Sequence, residues 1–228
     1  MNQSVFILLL ICVPEPGPNP AEEKAAQFVR DERGWVKRDD TVRGKPAIEV
    51  GLCGSKLTDA GLKKLSALRH LYTLNLNEIM LGTGPYPWQL TNQGLKELAA
   101  LRQLKSLGLS ETGINDSGLK ELAALRQLQS LDLSHTGITD VGLRELATLN
   151  ELTMLNLNHA THVTDAGVKV LSALKALRTL KLSSTRITDL GLKDLRPLRD
   201  LRVLEMSGTE ITDTGVGELN RTSRKPER

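Results

Sequence analysis

The sequence predicts an α/β solenoid in which short parallel strands line a concave face and helices line the convex side. The first observation is a phrase, Ile-Thr-Asp-x-Gly-Leu, that recurs with small variations from Leu57, Leu90, Ile114, Ile138, Val163, Ile187 and Ile211. Most steps between copies are 24 residues, one is a residue longer and the first is nine residues longer. A fixed period of this length is typical of repeat architectures, whose units pack only on their neighbours.

The second observation is that the apolar pattern changes character within each unit. In the third unit, Leu104, Leu107 and Leu109 are spaced L-x-x-L-x-L, and the last two alternate as in a strand with one buried face. Leu119 and Leu122 then follow at helical spacing. A strand and a helix in every unit imply a parallel stack that advances about 4.8 Å per strand. We predict strands at 49–53, 73–77, 106–110, 130–134, 154–158, 179–183 and 203–207.

The recurring phrase itself predicts how each helix begins. Its Ile is expected to be buried in the turn, and the Thr-Asp pair to supply oxygens that cap the helix. Glycine inside a helix costs about 0.5–1 kcal/mol relative to alanine. Its repetition therefore predicts tight packing between the starts of neighbouring helices, although copying by repeat duplication is an alternative. The seven glycines are Gly61, Gly94, Gly118, Gly142, Gly167, Gly191 and Gly215.

Composition limits the classes of partner. The chain has 228 residues, a formal net charge of +3 and only 3% aromatic residues. This balance does not call for nucleic acid or an anionic membrane. Cys12 and Cys53 are too few for a disulfide framework and lack metal-site spacing. We therefore predict a monomer with a protein partner, no nucleic-acid binding, no cofactor and no metal.

The ends of the chain differ from the repeats. Residues 1–20 contain an apolar run, 5–13, that is too short to span a bilayer and fits part of a secretory signal, although no Lys or Arg precedes it. Composition thus favours export over a cytoplasmic location, with a disordered apolar tail as the alternative. We predict an N-terminal helical cap over 21–47, with a separate binding helix as the alternative. The solenoid is predicted over 48–219, and a disordered basic tail over 220–228.

The combination of L-x-x-L-x-L with the recurring phrase, from Ile48 to Leu219, resembles the leucine-rich repeat family, and within it the ribonuclease-inhibitor-like, F-box-associated branch. The resemblance implies a leucine-rich repeat solenoid shaped as a curved horseshoe and used as a binding scaffold. No F-box-like segment precedes the repeats. The family's corner Asn or Cys is replaced by hydroxyl residues that can still bond the backbone, at Ser55, Thr112, Thr136, Thr161, Thr185 and Thr209.

The predicted concave face carries a central row of exposed strand positions. The row is Gly51, Asn75, Gly108, Asp132, Asn156, Lys181 and Glu205. These residues are small or polar and include no aromatic anchor of the kind that dominates protein interfaces. We take Asn75, Asp132, Asn156, Lys181 and Glu205 as candidate protein-binding residues, with a merely solvated sheet face as the alternative.

Two irregularities add further candidates. The insertion 78–89 carries Tyr86 and Trp88, and Tyr72 begins the neighbouring strand. Aromatic side chains on a proline-stiffened loop suit a partner contact, although the loop could instead cover its own repeat. His135 and His159 occupy matching corners of adjacent units and are candidate contact residues; two imidazoles could hold a divalent metal, but four-ligand geometry is not evident.

The sequence contains no recognisable catalytic motif. It contains no Gly-x-Ser-x-Gly, no Walker loop and no dinucleotide fingerprint. Asp132, Ser134 and His135 are neighbours on one strand and cannot form a triad by themselves. We predict a non-catalytic protein–protein interaction module that presents the concave face and the aromatic insertion loop. The alternative is the substrate-recognition subunit of a degradation or signalling complex.

Overall fold

The computed structural model describes residues 19–52, 57–77 and 90–223, and it holds one eight-stranded sheet in the order β1 to β8. The strands are β1 (Trp35–Arg38), β2 (Ala47–Gly51), β3 (Thr73–Asn75), β4 (Ser106–Gly108), β5 (Ser130–Asp132), β6 (Met154–Asn156), β7 (Thr179–Lys181) and β8 (Val203–Glu205). The α-helices are α1 (Pro20–Asp31), α2 (Asp59–Leu65), α3 (Asp116–Leu122), α4 (Asp140–Leu146), α5 (Asp165–Leu171), α6 (Asp189–Asp194) and α7 (Asp213–Ser223). A 3₁₀ helix, Gly94–Ala100, replaces the α-helix of the second unit.

The sheet is parallel from β2 to β8, as the repeat predicts. Equivalent leucines lie side by side, for example Leu107 beside Leu131 and Leu131 beside Leu155. Together with the inward leucines of the helices they form one continuous core in which most of the leucine side chains are fully buried. The predicted α/β leucine-rich repeat solenoid is confirmed.

The strands β3 to β8 are shorter than predicted, three residues instead of five, whereas β2 has five residues but begins at Ala47, two residues before the predicted start. A reason is visible at the carboxyl ends of three of the short strands. The side-chain oxygens of Asn75, Asp132 and Asn156 each accept the N–H of the residue two positions on, at 3.0–3.1 Å. This local bond begins the turn while the backbone still pairs with the next unit, as in Leu109 N–H to Asp132 C=O at 2.9 Å.

The N-terminal segment contains the predicted helix and also an unpredicted strand. Ala25 and Val29 of α1 are buried, and Phe28 packs partly against the core. The prediction for the cap, 21–47, included no strand after its helix. Trp35–Arg38 forms β1, which pairs antiparallel with β2 and covers the edge of the sheet.

A buried carboxylate joins these two parts of the cap. Glu22 is 5% exposed, and its Oε1 accepts the backbone N–H of Ala47. Arg38 Nη1 lies 3.9 Å from the same oxygen, and its Nη2 donates to Glu23 at 2.5 Å. The helix is therefore attached to the first two strands by charge-assisted hydrogen bonds as well as by apolar contact.

At the other end, α7 extends to Ser223, four residues into the predicted disordered tail. Residues 220–223 are thus helical, and α7 is longer than the helices of the inner repeats. Leu201, Leu204 and Ile211 of the last unit are only partly buried, since no further unit packs on them among the described residues. Residues 1–18, 53–56, 78–89 and 224–228 lie outside the described residues. Within those described, no helix has the length and apolarity needed to cross a membrane.

Candidate functional site

Each repeat is fixed to the next by the Thr and Asp of the recurring phrase. Thr139 caps α4 by accepting the N–H of Val141 at 3.2 Å. The same threonine donates its N–H and its hydroxyl to Asp116 of the preceding unit, at 2.8 and 2.6 Å. The threonine therefore caps its own helix, as predicted. The aspartate accepts hydrogen bonds from the next unit, which the prediction did not include. The pattern recurs for Asp59–Thr91, Asp140–Thr164, Asp165–Thr188 and Asp189–Thr212.

We call this series of bonds between units the Asp–Thr ladder. At one junction both partners are replaced by asparagine. Asn115 stands where other units have Thr, and it caps α3 through its side-chain oxygen, which accepts the N–H of Ser117 at 3.1 Å. Asn92 stands where the preceding unit would have Asp. Its Nδ2 donates to Asn115 Oδ1 at 2.8 Å, and its Oδ1 accepts the Asn115 N–H at 3.1 Å. The amide supplies the donor that a carboxylate lacks.

The repeated glycine makes room for this ladder. A Cβ built on Gly142 would lie under 3.0 Å from Asp116 Oδ1, and 3.0 Å from the Asp116 Cα, which belongs to the backbone. The other repeat glycines from Gly94 to Gly215 face the equivalent Asp or Asn in the same way. The predicted tight packing between helix starts is confirmed, and duplication alone does not account for the glycine.

The predicted central row is confirmed by the strand register. Gly51 pairs with Asn75, Asn75 with Gly108, and Gly108 with Asp132. The row continues through Asn156 and Lys181 to Glu205. Five of the candidate binding residues therefore stand in a single line across seven strands, and each is partly exposed.

The row begins with a residue that the sequence analysis assigned only to the cap. Trp35 of β1 is the register partner of Gly51, and it is 49% exposed. A Cβ built on Gly51 would lie under 3.0 Å from three atoms of the Trp35 indole, so the ring rests on the glycine backbone. The repeat positions of the row are small or polar, and the aromatic side chain on this face comes from the cap. The alternating segment W-V-K-R and the glycine at the end of the next strand were the sequence features that could have indicated this contact.

The polar members of the row are partly committed to the fold. Asp132 Oδ1 accepts both the N–H and the hydroxyl of Ser134, at 3.0 and 2.6 Å. Asn75 and Asn156 accept a backbone N–H in the same manner. Each side chain still has a second oxygen or an amide donor for a partner.

Opposite charges are paired at both ends of the face. Lys181 Nζ lies 2.8 Å from Glu205 Oε1, and this hydrogen bond, more than any other contact, lowers the pKa of Glu205 below its ordinary value. At the other end, Lys37 Nζ donates to Glu49 at 2.6 Å, which raises the pKa of Lys37. Tyr72 is partly exposed and close enough to add a smaller electrostatic effect on the same lysine. Both shifts favour the charged form of the group, the carboxylate of Glu205 and the ammonium of Lys37.

The two histidines come together as predicted. The rings of His135 and His159 stack with centroids 4.1 Å apart and planes 15° from parallel. Both residues adopt a left-handed backbone, with φ of 55° and 60°, at the corner that follows each strand. His135 donates its N–H to the Asn158 carbonyl at 2.9 Å, which continues the strand pairing. Within the described residues no group of three or more potential metal ligands is found.

Other candidates are placed as follows. Ser134 is 6% exposed and its hydroxyl bonds Asp132 and Ser110, so it does not face His135 as a nucleophile would face a base. Tyr86, Trp88 and Cys53 lie outside the described residues. The corner hydroxyls bond strand carbonyls as expected, for example Thr136 to Leu133 at 2.6 Å. In the 25-residue unit, however, buried Ala160 takes this corner, and Thr161 is exposed.

Comparison with known proteins agrees with this architecture. A family model described as a leucine-rich repeat region matches residues 53–220. The internalin InlF structure from Listeria monocytogenes superposes with a TM-score of 0.56 and 25% identity, covering 78% of this chain and 53% of that one. This chain thus spans about half the length of that internalin.

A second structure, internalin C2 from the same organism, superposes with a TM-score of 0.56 and 20% identity over 91% of this chain and 95% of its own. No curated protein matches the chain. The repeat period, the register of the sheet and the family match lead to one identification: this chain belongs to the leucine-rich repeat family.

Proposed function

We propose that the chain is a non-catalytic protein-binding module whose partner lies along the central row of the concave face. The observation that carries this proposal is Trp35, whose indole rests on Gly51 with about half of its surface exposed. Tryptophan is enriched among the residues that dominate protein interfaces. Its position here is held by strand pairing, so binding does not have to order a free side chain.

The rest of the row suits a polar partner segment beside that anchor. Asn75, Asp132 and Asn156 present amide and carboxylate groups at successive or near-successive strands. The pair Lys181 and Glu205 closes the far end of the row. A partner would therefore place an apolar side chain against Trp35 and backbone or polar groups along the remaining residues.

We further propose that Tyr72 and the insertion residues Tyr86 and Trp88 extend the anchor. In the sequence the insertion follows Asn77, two residues after the end of β3, and β3 pairs with β2, which holds Gly51. His135 and His159 lie beside the row at the corners of two inner units and are proposed as outer contacts. We also propose that the repeats belong to the ribonuclease-inhibitor-like branch and that the chain is a monomer that does not bind nucleic acid.

The test is a crosslinked pull-down from the native host with three forms of the chain. Trp35→Ala removes the anchor. Leu190→Ala is the control, because Leu190 is 67% exposed and lies on the convex helix α6, away from the sheet. We expect a partner that is retained by the wild type and by Leu190→Ala and lost with Trp35→Ala.

The folded state of each variant is checked by circular dichroism before the comparison. Trp35→Phe serves as a second variant that keeps an aromatic ring over Gly51 and should retain most of the binding. Retention of every partner by a folded Trp35→Ala variant would refute the role of this face.

A second candidate is the substrate-recognition subunit of a degradation or signalling complex. It requires a separate docking surface, and α1 offers one: a groove of about 530 Å³ lined by Lys24, Phe28 and Lys64, among others. The inner side of α1, however, is used by the core, since Ala26 and Val29 are fully buried. Reversing Lys24 and Lys64 to Glu would abolish complex recruitment under this alternative and leave it unchanged under the proposed function.

A further inference from the structure

The edge of the sheet where the strands begin carries a row of exposed cations. Its members stand eight or eleven residues after the repeat glycines, in the loops that lead from each helix into the next strand. We call these residues the basic edge: Arg69, Arg102, Lys105, Arg126, Lys175, Arg178, Arg199 and Arg202. All eight side chains are exposed.

Backbone pairing between units places three of these residues, Lys105, Arg178 and Arg202, in one column. The carbonyl of Tyr72 accepts the N–H groups of Lys105 and Ser106, both at 2.8 Å. The same bond recurs from unit to unit up to Arg202 N–H and Arg178 C=O, also at 2.8 Å. The neighbouring cations Arg178 and Arg202 are therefore about 4.8 Å apart at the backbone, which is within the Debye length of about 8 Å at physiological ionic strength. Gln129 and Thr153 separate them from Lys105 in the same column.

The charge on this edge is not neutralised by the fold. Among the described residues, none of the eight forms an ion pair. Lys175 donates to the carbonyl of Ser172 at the end of α5, at 2.6 Å, as a helix-capping lysine would. In the part of the chain that the structure describes, the side chains of the six arginines and of Lys105 make no such bond to a helix end. Two exposed carboxylates, Glu151 and Asp200, interrupt the edge.

The opposite edge differs in composition. The segments 111–116, 135–140, 159–165, 184–189 and 208–213 contain one Lys or Arg, Arg186. Four of the aspartates in these segments accept the hydroxyl of the threonine in the next unit, namely Asp116, Asp140, Asp165 and Asp189. The two edges of the sheet therefore differ in charge, although the chain as a whole has a formal net charge of only +3.

We propose that the basic edge binds an acidic protein segment that continues from the partner on the concave face. This inference rests on the proposed function and names the chemistry of its partner. The basic edge has no interleaved aromatic platform of the kind that stacks nucleotide bases, since Tyr72 stands only at its first unit. It also lacks the apolar residues that insert a protein into a lipid surface. An extended chain of carboxylates meets its requirements.

The experiment measures fluorescence anisotropy of a labelled dodecapeptide of alternating Glu and Ser, titrated with the full chain at low salt. The test variant reverses two neighbouring charges, Arg178→Glu with Arg202→Glu. The control reverses two exposed lysines on the convex helices, Lys120→Glu with Lys169→Glu, and so makes the same change in net charge. We expect the test variant to weaken binding about tenfold or more and the control by less than about twofold.

Equal weakening by both variants, or no binding by the wild type, would overturn the inference. A single strand of twelve thymidines, or vesicles with anionic lipid, that bind more tightly than the peptide with the same dependence on Arg178 and Arg202 would also overturn it. The Trp35→Ala variant separates the two proposals. It should leave binding of the Glu-Ser peptide unchanged, because that peptide has no apolar side chain to place on the indole.

Discussion

Replacing Gly142 by alanine should destabilise the protein, although the same change at an ordinary helix position stabilises it. The added methyl group would lie under 3.0 Å from Asp116 Oδ1 and 3.0 Å from the Asp116 Cα. The carboxylate can rotate away, but it then loses its bonds to Thr139, and the backbone cannot move without separating two units. Alanine is otherwise favoured over glycine in a helix.

The size of the effect follows from these opposing contributions. Inserting a methyl group into a packed site costs about 1–3 kcal/mol, and weakening hydrogen bonds to the carboxylate adds about 1 kcal/mol. Alanine returns about 1 kcal/mol through helix propensity. We expect a net loss of about 1–3 kcal/mol in the free energy of unfolding.

Gly217 provides the matched control within the same chain. It lies in α7, and a Cβ built on it meets no atom within 4 Å. Gly217→Ala should therefore raise stability by about 0.4–1 kcal/mol. Urea unfolding followed by circular dichroism measures both variants. If Gly142→Ala stabilises the chain as much as Gly217→Ala does, the steric explanation of the repeated glycine is wrong.

Three further predictions use the contacts between units and the cap. Asn92→Asp should lower stability by about 1 kcal/mol, because it opposes a carboxylate to Asn115 Oδ1; adding Asn115→Thr restores the usual pair and should recover the loss in urea unfolding. The backbone N–H and the hydroxyl of Thr212 lower the pKa of Asp189 from its ordinary value of 3.8. The ionised Asp189 therefore stabilises the fold above about pH 4, and this contribution is lost as the pH falls. Asp189→Asn should make the free energy of unfolding depend less on pH below that value. Glu22→Ala leaves the Ala47 N–H unsatisfied and should cost about 1–3 kcal/mol in thermal unfolding, whereas Glu22→Gln, which keeps an acceptor, should cost less.

Much of the architecture could be predicted because every repeat has the same spacing of apolar residues. Leucine spacing alone determines which strand residues are buried, and the fixed period then places Asp132 beside Asn156 without any further information. The stacking of His135 on His159 follows from the same register. These are consequences of periodicity, which a single sequence displays directly.

The remaining features depend on contacts that occur once or between units. β1 has four residues and no repeat to support it, so the position of Trp35 over Gly51 could not be deduced from the period. The bonds from Asp116 to Thr139 join positions 23 residues apart, and a pattern within one unit cannot show them. The extra residue of the 25-residue unit shifted the predicted corner from Ala160 to Thr161, because alignment by the corner threonine ignored which side chain is buried.

The central claim is that the concave face is the binding surface. Site-specific photocrosslinking tests it most directly, with a benzophenone side chain introduced at Asn156 in the middle of the row and, separately, at Val141, which is 61% exposed on the convex helix α4. We predict that a partner present in the native host is crosslinked from position 156 and is not captured from position 141. Excess unlabelled wild type should compete for that partner and reduce the crosslinking from position 156. Capture of the same partner from position 141 alone would place the binding surface on the helices and contradict the account.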